Sequence, residues 1–304
     1  MKRKLIRQGG GGGMTIYVPK KWIVERKLKP GDEISLTPVD SSLLLSAEAK
    51  AEKKEAEISI SSENEPFIRI HLWDLYRLGY DRIRVEFSTK KQAAIIEDVA
   101  ERLLLGFEVT EKEESHIVLE NVTEPSGEKQ EVLLRRMFLM IKQSFELAYE
   151  DFSKGKLENF SRIRQISQKV DQYDNFCRRN ISKNKLTEEK ENFYWGLYNY
   201  LLLIQHSMLH LYESLGKPAR VSRNSLAILK MLQESFSMAY EGFFKKDIKI
   251  IGKANENAKN ALHKNVFPGI QKSKGKESLV LHYFGEISRL IYLSAAPMVG
   301  ILAD

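Results

Sequence analysis

The stretch QSFELAYEDF, at residues 143–152, recurs as ESFSMAYEGF at residues 234–243. The two stretches lie 91 residues apart and share six of their ten residues. Such identity at one fixed offset indicates an internal duplication. We therefore predict that residues 128–304 hold two copies of a three-helix unit, in repeats 128–215 and 219–304, related by a pseudo-twofold axis.

The apolar residues of this half follow a helical period. In the first segment they recur at steps of three and four residues, which places them on one helix face. These residues are Val132, Leu133, Met137, Met140, Ile141, Phe145 and Ala148. Further segments with the same period cover residues 156–182, 187–214, 223–244, 247–265 and 277–302. Six helices are therefore predicted, and the C-terminal half is expected to be all α.

Strands and helices alternate in the middle of the chain, over residues 58–125. The segments EISIS, DRIRVEF, GFEVTEK and SHIVLENV have the composition of strands, and helices are predicted over residues 67–78 and 89–105. This alternation is typical of a small α+β domain. The polar, apolar-poor residues 49–57 precede it and are predicted to be a linker.

Residues 1–48 alternate in the way that strands do. RKLIRQ and TIYV are predicted to be short strands around the glycine run at residues 9–13, PKKWIVERK a short helix, and EISLTPV with SSLLLSA a closing hairpin. So few residues cannot bury an apolar core alone. This β-rich segment is therefore expected to fold against a partner, most simply a second copy of itself. The whole chain is predicted to be a multi-domain α+β protein.

The positive charge of the chain is concentrated at its N-terminus. The first thirty residues hold nine Lys or Arg and one acid, a net charge of +8, whereas the whole protein carries +7. The remainder is therefore close to neutral, and the basic segment is predicted to bind a polyanion, with DNA favoured because phosphate spacing rewards clustered cations. The alternatives are a solvated charged end and a patch that attracts RNA or lipid. The candidate DNA-binding residues are Lys2, Arg3, Lys4, Arg7, Lys20 and Lys21.

Several functional classes are disfavoured by the composition. A single cysteine, Cys177, excludes an internal disulfide framework, and a cytoplasmic location is expected. No segment reaches the roughly 20 apolar residues of a membrane span, so no membrane insertion is expected. The glycine run lacks the Gly-Lys-Ser/Thr of a phosphate-binding loop. No nucleophile–base pair, paired-acid motif or dinucleotide fingerprint is present, and the chain is predicted not to be an enzyme.

A metal site has only weak support in the sequence. His206 and His210 have metal-ligand spacing on one predicted helix, but no further ligands are identified. Weak candidates for a divalent cation are the carboxylates of Glu150, Glu241, Asp171 and Asp174, of which the first two occupy equivalent positions in the repeats. No cofactor is expected, and Cys177 is predicted to be a structural, inert thiol.

Three segments carry a resemblance to known families. The string GG…YVPKKWI…LKPGDEISL in residues 1–48 resembles the SpoVT/AbrB swapped-hairpin domain, and residues 128–304 resemble the PhoU domain, whose signature is tandem three-helix bundles. The string GYDRIRVEF…LLGFEV is similar to the middle segment of archaeal PhoU-like phosphate uptake regulators. The resemblance covers nearly the whole chain.

The resemblance implies an obligate dimer at the N-terminus, with interleaved β-layers that form a DNA-binding face. It also implies a helical domain that, in bacterial relatives, binds iron or zinc clusters and acts on the phosphate transporter ATPase and its sensor kinase. The family's metal motif is an acidic residue followed four residues later by Asp. This chain has Val170 before Asp174, Asn175 after Asp171, and Asn260 after Glu256, so neither repeat keeps both carboxylates.

Two functional hypotheses follow. The first is a homodimeric, non-enzymatic DNA-binding transcriptional regulator linked to phosphate uptake. The alternative is an interaction adaptor that acts on a phosphate transporter ATPase or a sensor protein, with the N-terminal domain serving only dimerisation. A third and weaker option is a metal-sensing helical bundle.

Overall fold

A computed structural model describes most of the chain, in eight segments. They are residues 6–7, 14–25, 28–39, 42–47, 53–123, 129–184, 190–216 and 221–303. The chain divides into two units, Met1–Lys54 and Glu55–Asp304. The glycine run at residues 9–13 lies outside the described segments.

The first unit contains short strands, one short helix and a hairpin, in the order that the sequence predicts. Its elements are β1 (Ile6–Arg7), β2 (Met14–Thr15), α1 (Lys20–Glu25), β3 (Ile34–Val39) and β4 (Ser42–Ala47). Strand β1 pairs antiparallel with β2, and β3 pairs antiparallel with β4 in six residue pairs from Ile34↔Ala47 to Val39↔Ser42.

The first unit exposes its apolar side chains. None of the side chains described in this unit is buried. Six large apolar side chains have exposed fractions between 43% and 68%: Ile6, Met14, Ile16, Tyr17, Val24 and Leu36. The described part of the unit therefore has no apolar core of its own.

The second unit begins with a four-stranded sheet covered by two helices. Its elements are β5 (Glu55–Ser59), α2 (Glu65–Arg77), β6 (Arg82–Glu86), α3 (Lys90–Leu103), β7 (Phe107–Lys112) and β8 (His116–Asn121). The strand order is β5-β6-β8-β7. Strands β5 and β6 are parallel because α2 connects them as a crossover, whereas the β6–β8 and β8–β7 pairs are antiparallel.

The predicted linker at residues 49–57 is too long at its C-terminal end, because Glu55, Ala56 and Glu57 belong to strand β5. Composition alone suggested a solvated connection. These residues pair in parallel with β6, where Glu55 lies opposite Arg82 and Glu57 opposite Arg84 in the register. The facing charges form ion pairs at the sheet surface. The distances are 3.8 Å and 3.3 Å. One face of the sheet is therefore charged, while the opposite face packs on α2 and α3.

The two helices of this part begin with side-chain caps. The Thr89 hydroxyl accepts from the backbone N–H of Gln92, and the Gln92 side chain accepts from the backbone N–H of Thr89. This reciprocal arrangement satisfies backbone N–H groups that have no partner inside the helix. The Asn64 side chain accepts from the backbone N–H of Phe67 at the start of α2.

The rest of the second unit is helical. Its elements are α4 (Lys129–Lys154), α5 (Phe160–Asn184), α6 (Glu191–Leu215), α7 (Arg223–Phe244), α8 (Ile248–Asn260), a π-helical segment (Ala261–Val266), α9 (Phe267–Lys272) and α10 (Lys276–Leu302). No helix in the described segments is long and apolar enough to cross a membrane.

The fifth predicted helix, at residues 247–265, is longer than its sequence pattern indicated. It continues through the π-helical segment and α9 to Lys272. Pro268 lies at the start of α9 and has no backbone N–H. The hydrogen-bond ladder therefore changes at this point, and the helical path continues beyond it.

One apolar core joins all six predicted helices. The Phe145 and Phe236 rings, whose residues occupy equivalent positions in the two repeats, lie 5.6 Å apart between centroids. The equivalent positions Asp151 and Gly242 have diverged. Asp151 is buried and accepts hydrogen bonds from the Asn159 backbone and the Tyr212 hydroxyl, whereas a Cβ at Gly242 would lie 2.9 Å from the backbone of Ile251.

Helix α5 is the central element of the second unit. It packs against α4 and α6 on one side and against α2 and α3 on the other. Residues 174–181 are all buried, although this stretch contains charged and amide side chains. The polar side chains form hydrogen bonds instead of facing solvent, which is the condition under which polar groups can be buried.

Two groups of ion pairs connect α5 with α2 and the turn that follows α2. Asp174 accepts from Arg77 of α2 at 2.8 Å and from Arg178 of its own helix at 2.8 Å. Arg179 donates to Asp81 at 2.7 Å, and Lys183 donates to the same carboxylate at 2.6 Å. Buried ion pairs are therefore part of the contact between the sheet layer and the helical layer.

Replacement of Asp174 with Ala is expected to lower the free energy of unfolding by about 3–5 kcal/mol. Among the described residues, buried Arg178 would then have no counter-charge, and Arg77 would keep only its longer pair with exposed Asp74, at 3.7 Å. Urea denaturation followed by circular dichroism measures the change. Glu241→Ala is the matched control, since it removes a carboxylate whose pair with Lys245 is exposed to solvent. The control should leave the denaturation midpoint unchanged, and an equal effect of both substitutions would contradict the importance of the buried pair.

Candidate functional site

Two of the predicted DNA-binding residues are fully described. Lys20 and Lys21 begin helix α1, and both side chains are exposed. The helix starts directly after Pro19, whose carbonyl accepts from the backbone N–H of Ile23. Arg7 is described only as a backbone position in β1. The remaining three residues, Lys2, Arg3 and Lys4, lie outside the described residues.

The four weak candidates for a cation site are not brought together. Glu150 and Glu241 each form an exposed pair with the lysine four residues later in the same helix. Asp174 pairs with the buried arginines, and Asp171 pairs with His206 at 2.7 Å. Across the described segments, no three His, Cys, Asp or Glu side chains converge on a point where a metal ion would fit.

Asp171 and His206 instead belong to the wall of a polar cleft. This cleft, which we call the α2–α6 cleft, lies between α2, α3, α5 and α6 and has a volume of about 310 Å³. That is near the lower end of the range for small-molecule sites, roughly 300–1,000 Å³. The side chains that determine its chemistry are Arg69, Arg102, Arg164, Ser167, Asp171 and His206.

A neighbouring groove extends the cleft along α5. It has a volume of about 400 Å³ and shares Arg102 and Gln168 with the first cavity. Its other lining residues include Arg162 and Lys169.

Three of the carboxylates that line the α2–α6 cleft have a basic partner within the cleft. Asp98 pairs with Arg102 at 2.5 Å, and Glu213 pairs with His210 at 3.1 Å. The third such pair joins Asp171 with His206.

Two arginines in the same wall contact aromatic rings instead of carboxylates. The Arg69 guanidinium lies 5.8 Å from the centroid of the Trp73 ring, and the Arg164 guanidinium lies 4.6 Å from that of Phe160. Within the segments that the structure describes, neither arginine has an acidic partner. A guanidinium group that contacts an aromatic ring and no carboxylate keeps its N–H donors available for another acceptor.

The protonation of His206 is controlled by its surroundings. Burial of the ring opposes the charged form, but the hydrogen bond to Asp171 and the charges of Asp171 and Asp174 outweigh it and raise the pKa of His206 above its ordinary value. The positive charge of Arg69 acts in the opposite direction and is a smaller effect. The His206–Asp171 pair is therefore favoured as a charged pair.

The single cysteine does not line the cleft. Cys177 is free and fully buried in α5. Burial raises the pKa of its thiol, which keeps the thiolate population very low. This environment agrees with the prediction of an inert, structural thiol.

The sequence interpretation missed most of the residues in this cleft. Arg69 and Arg102 come from α2 and α3, so they join the cleft only through tertiary packing. A signal was present on α5, where Arg164, Ser167 and Asp171 recur at steps of three and four residues and form a polar stripe. That stripe would ordinarily be assigned to solvent.

Comparison with protein families, curated proteins and solved structures finds no match to this chain.

The stabilising effect of His206 is expected to depend on pH. The pKa of His206 is raised in the folded chain. Its contribution to the free energy of unfolding is therefore complete below the unfolded-state pKa of about 6.5 and disappears as the pH rises through the folded-state pKa. The difference in the free energy of unfolding between the wild type and His206→Gln should be largest below about pH 6.5 and should shrink as the pH rises above that value. Urea denaturation at a series of pH values measures it.

Asp171→Asn provides the control for this pH dependence. It removes the carboxylate that favours the charged ring, so the addition of His206→Gln to this background should have a nearly pH-independent effect. A wild-type difference that stays constant over the same pH range would contradict the charged pair.

Proposed function

We propose that this protein is a homodimeric, cytoplasmic DNA-binding transcriptional regulator linked to phosphate uptake, without enzymatic activity. The observation that carries the proposal is the N-terminal unit, which combines a net charge of +8 in its first thirty residues with exposed lysines at the start of α1. Because the rest of the chain is close to neutral, the net positive charge is confined to this segment.

The exposed apolar side chains of the first unit support self-association. Apolar residues in a short β-rich segment are stabilised only when they leave water, and a segment of this size has too few residues to cover them itself. A second copy supplies the same apolar surface in complementary positions, as in a twofold-symmetric interface. We propose that the two copies form one interleaved β-rich head, the swapped-hairpin arrangement that the resemblance implies.

A dimeric head would concentrate the basic charge on one particle. Two copies of the first thirty residues carry a formal charge of about +16, twice the +8 of a single copy. Contacts of Lys and Arg with phosphates release counterions from DNA, so the affinity of such a head would fall steeply with salt concentration. The proposed contact residues are Lys2, Arg3, Lys4, Arg7, Lys20 and Lys21.

The proposed role of the helical part rests on the resemblance of residues 128–304 to the PhoU domain. The contact between the equivalent rings of Phe145 and Phe236 supports a duplicated arrangement, because equivalent residues meet each other near a twofold axis. We propose that this part receives the signal or binds a partner of the phosphate uptake system, such as its transporter ATPase or a sensor protein.

The proposed dimer is tested by the mass of the particle in solution. The wild type should sediment as two chains, and Leu36→Asp should shift it towards one chain because a charge would enter the shared apolar surface. Leu36 is 54% exposed in the single chain. Val132→Asp is the matched control, since Val132 of α4 is 50% exposed and lies in the second unit. A monomeric wild type would exclude the interleaved head.

The DNA-binding proposal is tested by affinity across a salt series, with fluorescence anisotropy of a labelled duplex as the measurement. Replacement of Lys20 and Lys21 with Gln should weaken binding and reduce the slope of log K against log salt by up to about 0.9 for each phosphate that is no longer neutralised, on every copy of the head. Replacement of Lys154 and Lys245 with Gln removes the same charge from the second unit and should leave the slope unchanged.

The same titration separates the two functional hypotheses. If the wild type fails to bind DNA even at about 50 mM salt, where phosphate contacts are strongest, the regulator proposal is wrong. The interaction adaptor, with a head that only dimerises, would then be the better account of the chain.

A further inference from the structure

We propose that the α2–α6 cleft binds a small oxyanion, a phosphate, phosphate monoester or carboxylate group, through Arg69 and Arg164. Nothing in the proposed DNA binding requires this site, so it extends the function of the second unit independently. The site is formed by residues from α2, α3, α5 and α6, and a ligand in it would contact both the sheet layer and the helical layer.

The charge pattern of the cleft favours an anionic ligand. Asp98, Asp171 and Glu213 are occupied by pairs with Arg102, His206 and His210. The two arginines on aromatic rings keep their positive charge without an acidic partner among the described residues. Arginine presents donors in a planar fork that matches the geometry of carboxylate and phosphate groups, and these charge-assisted hydrogen bonds are stronger than neutral ones.

Two polar atoms in the cleft wall indicate where such a ligand would bind. The Ser167 side chain is 2% exposed, and its Oγ has no hydrogen-bond partner among the described residues. The same is true of the buried Nε of Arg69. Buried donors without partners are costly, so each is a position at which an acceptor from a ligand is favoured.

The Ser167 hydroxyl shares its lack of a partner with Ser144 of α4, but Ser144 does not line the cleft. Two other helical serines bond to their own helix. Ser207 and Ser235 donate to the backbone carbonyl four residues earlier, at 2.8 Å in both cases. A buried serine inside a helix can satisfy its hydroxyl in this way. Ser167 does not make it, and its residue lies in the cleft wall beside Arg164 and Asp171. A hydroxyl at this position can donate to an oxyanion.

The size and charge of the cleft limit the ligand. A volume of about 310 Å³ suits a small molecule. Glu65 also lines the cleft and disfavours a second anionic group near it, while it could accept a hydrogen bond from a ligand hydroxyl. The candidate ligands therefore share one oxyanion group, which is either a free ion or part of a small hydroxylated molecule.

The test is isothermal titration calorimetry of the full-length protein with a panel of small molecules. The panel contains inorganic phosphate, glycerol 3-phosphate, ribose 5-phosphate and succinate, with glycerol as the neutral control. We expect saturable binding of at least one anion and none of glycerol. The ranking of phosphate, the two monoesters and succinate then identifies the source of the oxyanion.

Two substitutions separate a ligand role from a structural role. Arg164→Gln changes an exposed side chain and should weaken binding about tenfold or more, because the variant forms one fewer charge-assisted hydrogen bond with the anion. Ser167→Ala should weaken binding and leave the thermal stability unchanged, since the hydroxyl has no partner among the described protein atoms. Arg289→Gln is the matched control, as Arg289 is an exposed arginine of α10 outside the cleft, and it should bind like the wild type.

Three outcomes would overturn the proposal. The first is the absence of binding by every anion up to millimolar concentration. The second is unchanged affinity in both Arg164→Gln and Ser167→Ala. The third is the disappearance of binding when Lys20 and Lys21 are replaced with Gln, which would place the anion on the N-terminal unit. A failure of DNA binding, by contrast, leaves the calorimetric result unaffected.

Discussion

A buried carboxylate, Asp174, sets the position of the central helix α5 relative to the layer above it. Its side chain is completely buried and accepts from Arg77 of α2 and from Arg178 of α5. An ion pair of this kind adds little net stability compared with an apolar contact, but the removal of one partner is costly. The pair therefore favours the arrangement of the two layers in which these buried charges are matched, and Arg179 with Asp81 reinforces it.

The same helix face connects this ionic contact to the α2–α6 cleft. Arg164, Ser167, Asp171, Asp174 and Arg178 follow each other at steps of three or four residues, so they form one stripe along α5. The end of the stripe at Asp174 and Arg178 is closed by α2, while the end at Arg164 and Ser167 remains open as the cleft wall. The geometry of the open end thus depends on the register fixed at the closed end.

The sequence predicts the helices and strands well and their environment less well. Apolar periodicity located all six helices of the C-terminal half, because that period reports directly on the buried face. It could not show that the polar face of α5 is also buried, since α2 and α3 cover it only after the chain has folded. The cleft was missed for the same reason: Arg69 and Arg164 are 95 residues apart. Composition also failed at Glu55–Glu57, where a polar segment pairs with β6 and its carboxylates face arginines across the sheet.

Because Cys177 is buried, the reactivity of its thiol can be used to follow structural opening of the protein. The protein has one cysteine, and its thiol lies in the middle of the helix on which both layers pack. The thiol belongs to the apolar core of the helical layer and lies next to Tyr198 of α6, so a thiol reagent can reach it only when the surrounding helices separate. The labelling rate therefore follows the population of opened molecules. The rate of modification under native conditions therefore reports the opening of the helical core at a single defined atom, without denaturant and without an engineered cysteine.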